Sequence, residues 1–371
     1  MNGTNIYSVP SMREIEETPW NGYNVVSTFS GGGGSCLGYR MAGYKVLWAN
    51  EFVEEAQKTY RANHQHTYLD TRDIRDVKPE EILEQIGLKK GELDLFDGSP
   101  PCCAFSTAGK REKGWGKKRR YSDGKNQQIE NLFLEYIRLL NGLQPKTFVA
   151  ENVSGMVKGT AIGYFREYIK TMEQCGYKVK AQLINAKYLG VPQSRERIIF
   201  VGVRNDIGLM PCFPKPYNYI VPLGNALKNI TNDEKEIKQL TDDANKYKWG
   251  AILRKLPRNP QKPICANTVT NGSYFNLIRE SLYAPCSTIC QTNGGPSTAG
   301  NCHPVEDRKF TIAELKRITS VPDDFILTGT FAQQWERLGR MVPPIMMREI
   351  SSAIRENILD KLESEKSNER N

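Results

Sequence analysis

The sequence lacks any uninterrupted apolar run of about 18 residues, so no membrane-spanning helix is expected. Residues 1–20, MNGTNIYSVPSMREIEETPW, lack the basic-then-apolar order of a secretory leader, and none is expected. There is no CxxC pair, and the nine cysteines are an odd number at unpatterned spacings. That argues against a disulfide scaffold and makes a reducing cytoplasm the expected compartment. Cys286, Cys290, Cys302 and His303 fall close together late in the chain, but without a CxxC pair they predict no metal site. What remains suits a folded, soluble protein: 39% hydrophobic and 25% charged residues, in a chain of 371 that can form one large domain and a smaller one.

The net charge is +9, and it is unevenly placed. Between residues 107 and 128, Lys110, Arg111, Lys113, Lys117, Lys118, Arg119, Arg120 and Lys125 stand against only Glu112 and Asp123. A solvated loop is one reading of such a run. A grip on the phosphates of a polyanion, sensitive to salt, is the other.

The run directly follows the most informative stretch of the chain. Residues 93–106 read LDLFDGSPPCCAFS. A strand-like beginning is cut off by Gly98, Ser99, Pro100 and Pro101, and Cys102 comes next. A cysteine at the end of a buried parallel strand stands at the usual ligand crevice of an open α/β sheet, although a small buried residue beside a turn would look the same. Upstream, Asn24–Phe29 reads as a strand, Gly31–Gly34 as a turn, Leu37, Tyr39 and Met41 as a helix, and Tyr44–Ala49 as a second strand closing at Glu51. Glycines that let the backbone approach a ligand, followed by a carboxylate able to accept from ribose hydroxyls, suit a nucleotide cofactor. A dinucleotide-binding dehydrogenase shares that physics.

Farther on, Ile129, Leu132, Phe133, Tyr136, Ile137 and Leu140 recur at helical spacing, and Gly142 and Pro145 end the helix. TFVA then leads into Glu151-Asn152-Val153. Residues 162–175 predict a helix, and YKVKAQLINA and RIIFVGV predict strands around Gln193-Ser194-Arg195-Glu196-Arg197, a hairpin at the sheet edge. After Arg204 prolines crowd together, and the stretch to residue 305 predicts a separate, irregular β-rich domain. The charged tail from about Leu362 predicts a frayed end.

FSGGGGSCLGY, the Pro-Cys step at Cys102, ENV and QSRER, in that order, resemble the motifs of DNA cytosine-5 methyltransferases. RKFTIAELKRITSVPDDF (308–325) resembles the ninth motif of that family and GRMVPPIMMREI (339–350) the tenth. The resemblance covers roughly 24–204 and 308–357. It implies an α/β fold with a Rossmann-like, mostly parallel seven-stranded sheet and a smaller irregular β-rich target-recognition domain. It implies an N-terminal extension over 1–20, a catalytic and cofactor-binding domain over 21–204, target recognition over 205–305, a return to the catalytic domain over 306–361, and a tail over 362–371. S-adenosyl-L-methionine would be lined by Phe29, Gly31, Gly33 and Gly34, with Glu51 on the ribose, Phe52 on the adenine, and Asp73 and Ile74 at the adenine edge. Ser99, Pro101, Leu132, Arg340 and Val342 complete the implied cofactor set. Lys110, Arg111, Lys117, Lys118, Arg119 and Arg120 would meet DNA. The implied partner is double-stranded DNA, without a membrane; a monomer is expected, and a cognate restriction enzyme is an open companion.

Carbon 5 of cytosine is a poor nucleophile until a thiolate adds at carbon 6, and cysteine suits that addition. The resemblance gives this role to Cys102, a proton at ring nitrogen 3 to Glu151, and the carbonyl oxygen or a nearby phosphate to Arg195, supported by Arg197. The base must leave the stack to be reached. Two residues depart from the family pattern. Cys103 replaces the usual glutamine after the nucleophile, and Cys102 is chosen because it follows the proline. Arg340 replaces the usual asparagine of the tenth motif. It reads either as a surface swap with an ion-pair partner or as a seat for a carboxylate, which suggests carboxy-S-adenosyl-L-methionine as an alternative cofactor and carboxymethyl transfer as an alternative reaction. A transfer-RNA cytosine-5 methyltransferase and an inactive DNA-binding paralogue are the remaining alternatives.

Overall fold

β1 (Asn24–Thr28), β2 (Lys45–Asn50), β3 (Tyr68–Asp70), β4 (Leu95–Gly98), β5 (Thr147–Val153), β6 (Tyr177–Asn185) and β7 (Glu196–Arg204) form one sheet in the order β3-β2-β1-β4-β5-β7-β6. These come from a computed structural model, which describes residues 7–101, 118–120, 126–128, 132–159 and 161–369. β1 runs parallel to β2 and β4, β2 to β3, and β4 to β5, while β7 runs antiparallel to β5. The strand order reverses between β1 and β4, and the carboxyl ends of such neighbours form the crevice where ligands bind in open α/β sheets. The expected Rossmann-like sheet is therefore present; β1, β2, β6 and β7 fall within a residue of their predicted bounds, and β5 runs past TFVA to Val153.

The chain divides into two units. One comprises 17–184, 196–215 and 347–371; the other comprises 1–16, 185–195 and 216–346. The first holds the large sheet. Its core gathers Val26, Trp48, Phe96, Phe148 and Phe200 from the strands with Leu132, Tyr136 and Leu140 from α4 (Leu132–Leu143), as the helical spacing predicts. α1 (Gly34–Met41), α2 (Glu54–Asn63) and α3 (Pro79–Ile86) provide the earlier crossovers, and α5 (Ala161–Gln174) links β5 to β6. Each large side chain buried here contributes roughly 1.5–3 kcal/mol. The C-terminal helices belong to this unit as well: the Tyr44 hydroxyl donates to the Ser351 carbonyl at 2.9 Å and that of Tyr23 to Asp360 at 2.8 Å.

In the second unit a small core forms around Trp249, Leu253, Ala266, Leu277 and Cys302. Between 205 and 305 the β character expected from the sequence consists of the two-residue strands Ile264–Cys265, Ile278–Arg279, Cys286–Ser287 and Asn301–Cys302. The structure adds helices over Glu234–Lys246 and Lys248–Leu253. The longer one has its own local support, an Asp233 cap on the Lys235 N–H at 2.9 Å and a Lys238–Asp242 pair at 2.7 Å. The surrounding prolines hide that pattern in a reading by composition.

Gly202 lies opposite Phe148 in the β5–β7 ladder, and a Cβ there would come within 1.9 Å of the Phe148 ring. Gly202→Ala should cost about 1–3 kcal/mol by overpacking. Urea unfolding of the full chain measures this, and an unchanged midpoint would show that the ring can move aside.

Candidate active site

At the end of β1 the chain turns through Phe29, Gly31 and Gly33 with φ of +54°, +57° and +92°, the left-handed region that glycine enters most readily. The turn is pinned on both sides. Ser30 N–H donates to Asn50 O at the end of β2, and Gly33 N–H donates to Ser30 O. Glu51, just past β2, accepts from Gly31 N–H at 2.8 Å through one oxygen and from Val53 N–H at 2.6 Å through the other. The sequence reading gave Glu51 a role toward ribose only; its carboxylate also clamps the glycine turn. A carboxylate has lone-pair capacity for several donors, a ligand hydroxyl among them.

Behind the turn, His64 occupies the space a side chain at Gly33 would need: a Cβ would lie 2.1 Å from its Nε2. Burial pushes the His64 imidazole down to about 3, with Arg40 adding to the fall, so the ring is neutral. It stacks on Tyr60, and its Nδ1 lies 3.3 Å from Arg40 Nη1. At Gly31 a Cβ would instead meet nothing within 4 Å. An open approach to backbone N–H groups, beside a strand-end carboxylate, fits a nucleoside cofactor. Phe52 is half-buried next to Glu51, and its carbonyl accepts from Gln57 Nε2. Asp73 accepts from Arg75 N–H as the cap of a short turn, Ile74 is buried, and Arg138 from α4 donates to the Ile74 carbonyl at 2.9 Å. Leu132 is fully buried.

β4 ends at Gly98, and Ser99 N–H donates to Thr28 O. Pro100 is buried, and its carbonyl accepts from Asn152 Nδ2 at 3.1 Å. Asn152 of the ENV triplet thus tethers the turn that leads to the cysteine, a role the sequence reading did not assign; only the motif itself hinted at it. Its neighbour Glu151 is buried and pairs with Arg197 Nε at 2.6 Å, from β5 to β7. Cys102 lies outside the described residues, as do Lys110, Arg111 and Lys117. Lys118–Arg120, which includes Arg119, pairs as a short strand with Asn126–Gln128.

The second unit carries the other predicted residues. Gln193–Ser194 pairs in parallel with Cys286–Ser287. Arg195 is 2% exposed, and its guanidinium donates to Ile289 O at 3.4 Å and to Arg340 O at 3.3 Å. Arg340 Nη2 pairs with Glu336 at 2.7 Å, one helical turn earlier, and Val342 is buried. Arg195 and Arg340 are therefore brought together, as are Glu51 with Gly31 and Glu151 with Arg197.

A protein-family model described as C-5 cytosine-specific DNA methylase matches residues 23–356. The chain belongs to that family. It is a DNA (cytosine-5) methyltransferase, an enzyme class that takes its methyl group from S-adenosylmethionine and acts on DNA. The methyltransferase is similar to the type II methyltransferase M.NgoPII of Neisseria gonorrhoeae, at 29% identity over 94% of this chain and 99% of that protein. It is also similar to the type II methyltransferase M1.HphI of Haemophilus parahaemolyticus, at 31% identity over 89% and 86%. Its fold is similar to the crystal structure of a candidate DNA modification methyltransferase encoded within an E. coli prophage, with a TM-score of 0.69 and 20% identity over 91% of this chain and 99% of that one. No helix among the methyltransferase's described residues is long and apolar enough to cross a membrane.

Gly33→Ala should therefore damage the glycine turn by two routes, a strained φ and a clash with His64. Titration calorimetry with S-adenosylmethionine should show binding weakened at least about tenfold, the equivalent of about 1.4 kcal/mol.

Proposed function

We propose that this enzyme turns a cytosine out of duplex DNA and methylates its carbon 5, with Cys102 as the nucleophile. The reading is carried by one observation: the ends of β4 and β5. These neighbours pair Gly98 with Ala150, so Glu151, the next residue along β5, stands beside the end of β4 where the chain turns toward Cys102, and the Asn152–Pro100 bond joins the two.

The Cys102 thiolate adds at carbon 6, and the ring electrons move toward nitrogen 3, where Glu151 delivers a proton. Arg197 orients the Glu151 carboxyl. Arg195 bonds the base carbonyl oxygen or an adjoining phosphate. When bound, S-adenosylmethionine supplies the electrophilic methyl carbon that the activated ring requires. The glycine turn and Phe29 orient it, Glu51 holds its ribose and Phe52 lies on its adenine. Solvent then takes the carbon-5 proton as the bond between Cys102 and carbon 6 breaks, and nitrogen 3 returns its proton to Glu151, restoring the aromatic ring. Residues 205–305 read the target site, the chain after them leads back to the catalytic domain, whose sheet-bearing unit it rejoins at residue 347, and the basic run 107–128 grips phosphates. The enzyme acts as a monomer in the cytoplasm, and the type II designation of its relatives supports a companion restriction enzyme.

Duplex DNA carrying 5-fluorocytosine tests the thiol. With cofactor present, the wild type should form a covalent adduct that survives denaturing electrophoresis. Cys102→Ser should form none while still binding cofactor. An adduct persisting in Cys102→Ser would move the role to Cys103, and an adduct on transfer RNA alone would change the substrate.

A second reading, carboxymethyl transfer from carboxy-S-adenosylmethionine, draws support from Arg340. It replaces the family asparagine, and its main-chain carbonyl accepts from Arg195. Its guanidinium is held by Glu336, so a carboxylated cofactor would have to replace that partner. On this reading, mass spectrometry of the DNA product should show carboxymethylcytosine, and Arg340→Asn should shift the product toward methylcytosine. Methylcytosine alone, with the carboxylated cofactor in excess, would overturn it.

A further inference from the structure

Asp97 has no part in the mechanism above, and it is the most deeply buried carboxylate near the strand ends. It sits on β4 between Ser27 of β1 and Val149 of β5 and is 1% exposed. One of its oxygens accepts from the Ser27 hydroxyl at 2.8 Å and the other from the Tyr39 hydroxyl at 3.0 Å. The Ser30 hydroxyl in turn lies 3.1 Å from that of Ser27. Ser30 immediately precedes Gly31 in the glycine turn, and Tyr39 stands on α1, which the turn feeds. Both sides of the turn therefore converge on one carboxylate. Its strand ends at the next residue, Gly98, four residues before Cys102.

We propose that Asp97 is a positioning residue for methyl transfer, joining the glycine turn to the strand end that carries the nucleophile. The proposal rests on the cofactor assignment made above. The ionised carboxylate accepts from Ser27 and Tyr39 together. Once protonated, it carries a hydrogen of its own and holds the two hydroxyls less firmly.

A plain scaffold position gains little from such a group. Burial pushes the Asp97 carboxyl up to about 7 from 3.8; the Ser27 and Tyr39 hydroxyls lower it, and Glu151 raises it. Because the folded value lies above the unfolded one, the native state keeps a proton that the unfolded chain releases. Asp97 thus removes stability as pH rises from about 4 to about 7, and the loss persists above that range. A carboxylate whose ionised form fits the fold less well as pH nears neutral, yet which ties two arms of the turn together, suits a positioning role. The titratable groups facing it are Tyr39 and Cys36 on α1, Tyr136 on α4 and Glu151 on β5; β1 presents only Ser27 and Thr28.

The test is calorimetric titration of the full-length enzyme with S-adenosylmethionine between pH 6 and pH 8, alongside thermal unfolding. Wild-type affinity should rise with pH through about 7. Asp97→Asn should bind about tenfold more weakly at pH 8. Its affinity should also be nearly flat with pH, while its melting temperature at pH 8 is no lower than that of the wild type. Ser27→Ala cuts the arm to Ser30 and removes a donor that favours the ionised form, so its pH midpoint should move upward. Equal affinity of Asp97→Asn and wild type at every pH overturns the proposal. So does a pH dependence that survives in Asp97→Asn, which would belong to Glu151 or Cys102. A parallel fall in melting temperature and affinity at all pH values would assign Asp97 to plain scaffolding. Failure of the wild type to bind S-adenosylmethionine would instead overturn the underlying cofactor assignment.

Discussion

The bond from Gly31 N–H to the Glu51 carboxylate is the constraint on which the glycine turn of the sheet-bearing unit depends. Left-handed backbone at Phe29, Gly31 and Gly33 has no repeating hydrogen-bond ladder to hold it, so it keeps its shape only if something outside the turn supplies partners. Glu51 does so from the end of β2, and Asn50 does so from the residue before. An ionised acceptor makes a stronger bond than a neutral one, which suits a turn that must leave other N–H groups facing a ligand. The position of Glu51 is set in turn by the β1–β2 ladder and by α2, whose Gln57 holds the Glu51 carbonyl at 2.9 Å.

The same logic recurs at the neighbouring strand ends. β4 ends beside Ala150 of β5, which runs on past it, and one amide bond from Asn152 fixes the proline turn. The antiparallel strand β7 then brings Arg197 against Glu151. Had β7 run parallel to β5, the QSRER stretch that precedes it would have emerged at the opposite edge of the sheet. Strand direction, more than any single contact, sets the chemistry of that edge.

Much of this was legible in the chain. Short strand-like runs mark β1, β4 and β5, with glycine or proline cutting off the first two, and the apolar spacing from Leu132 to Leu140 falls within α4. ENV and QSRER were visible as motifs. The double duty of Glu51 was not, because its acceptor role depends on a backbone N–H twenty residues away. Asn152 and Asp97 escaped for the same reason: a tether to Pro100 and a meeting point for Ser27 and Tyr39 exist only once β1, β4 and β5 lie side by side with α1 against them. The Glu336–Arg340 pair, by contrast, stands at a spacing that could have been read directly. The helix over Glu234–Lys246 was also readable, from its cap and its charge spacing, but the nearby prolines dominated the impression.

The C-terminal helices bear on biogenesis. Tyr44, at the foot of β2, spends its hydroxyl on a carbonyl 307 positions later, and Tyr23 does the same with Asp360. Both phenols are more than nine-tenths buried once the protein is folded. While the chain is emerging from the ribosome, the first two strands can form their ladder, but the surface that those helices cover stays wet. Such long-range closure slows folding relative to a locally wired domain. It also leaves the outer face of the first two strands unsealed until residues more than three hundred positions later have been made.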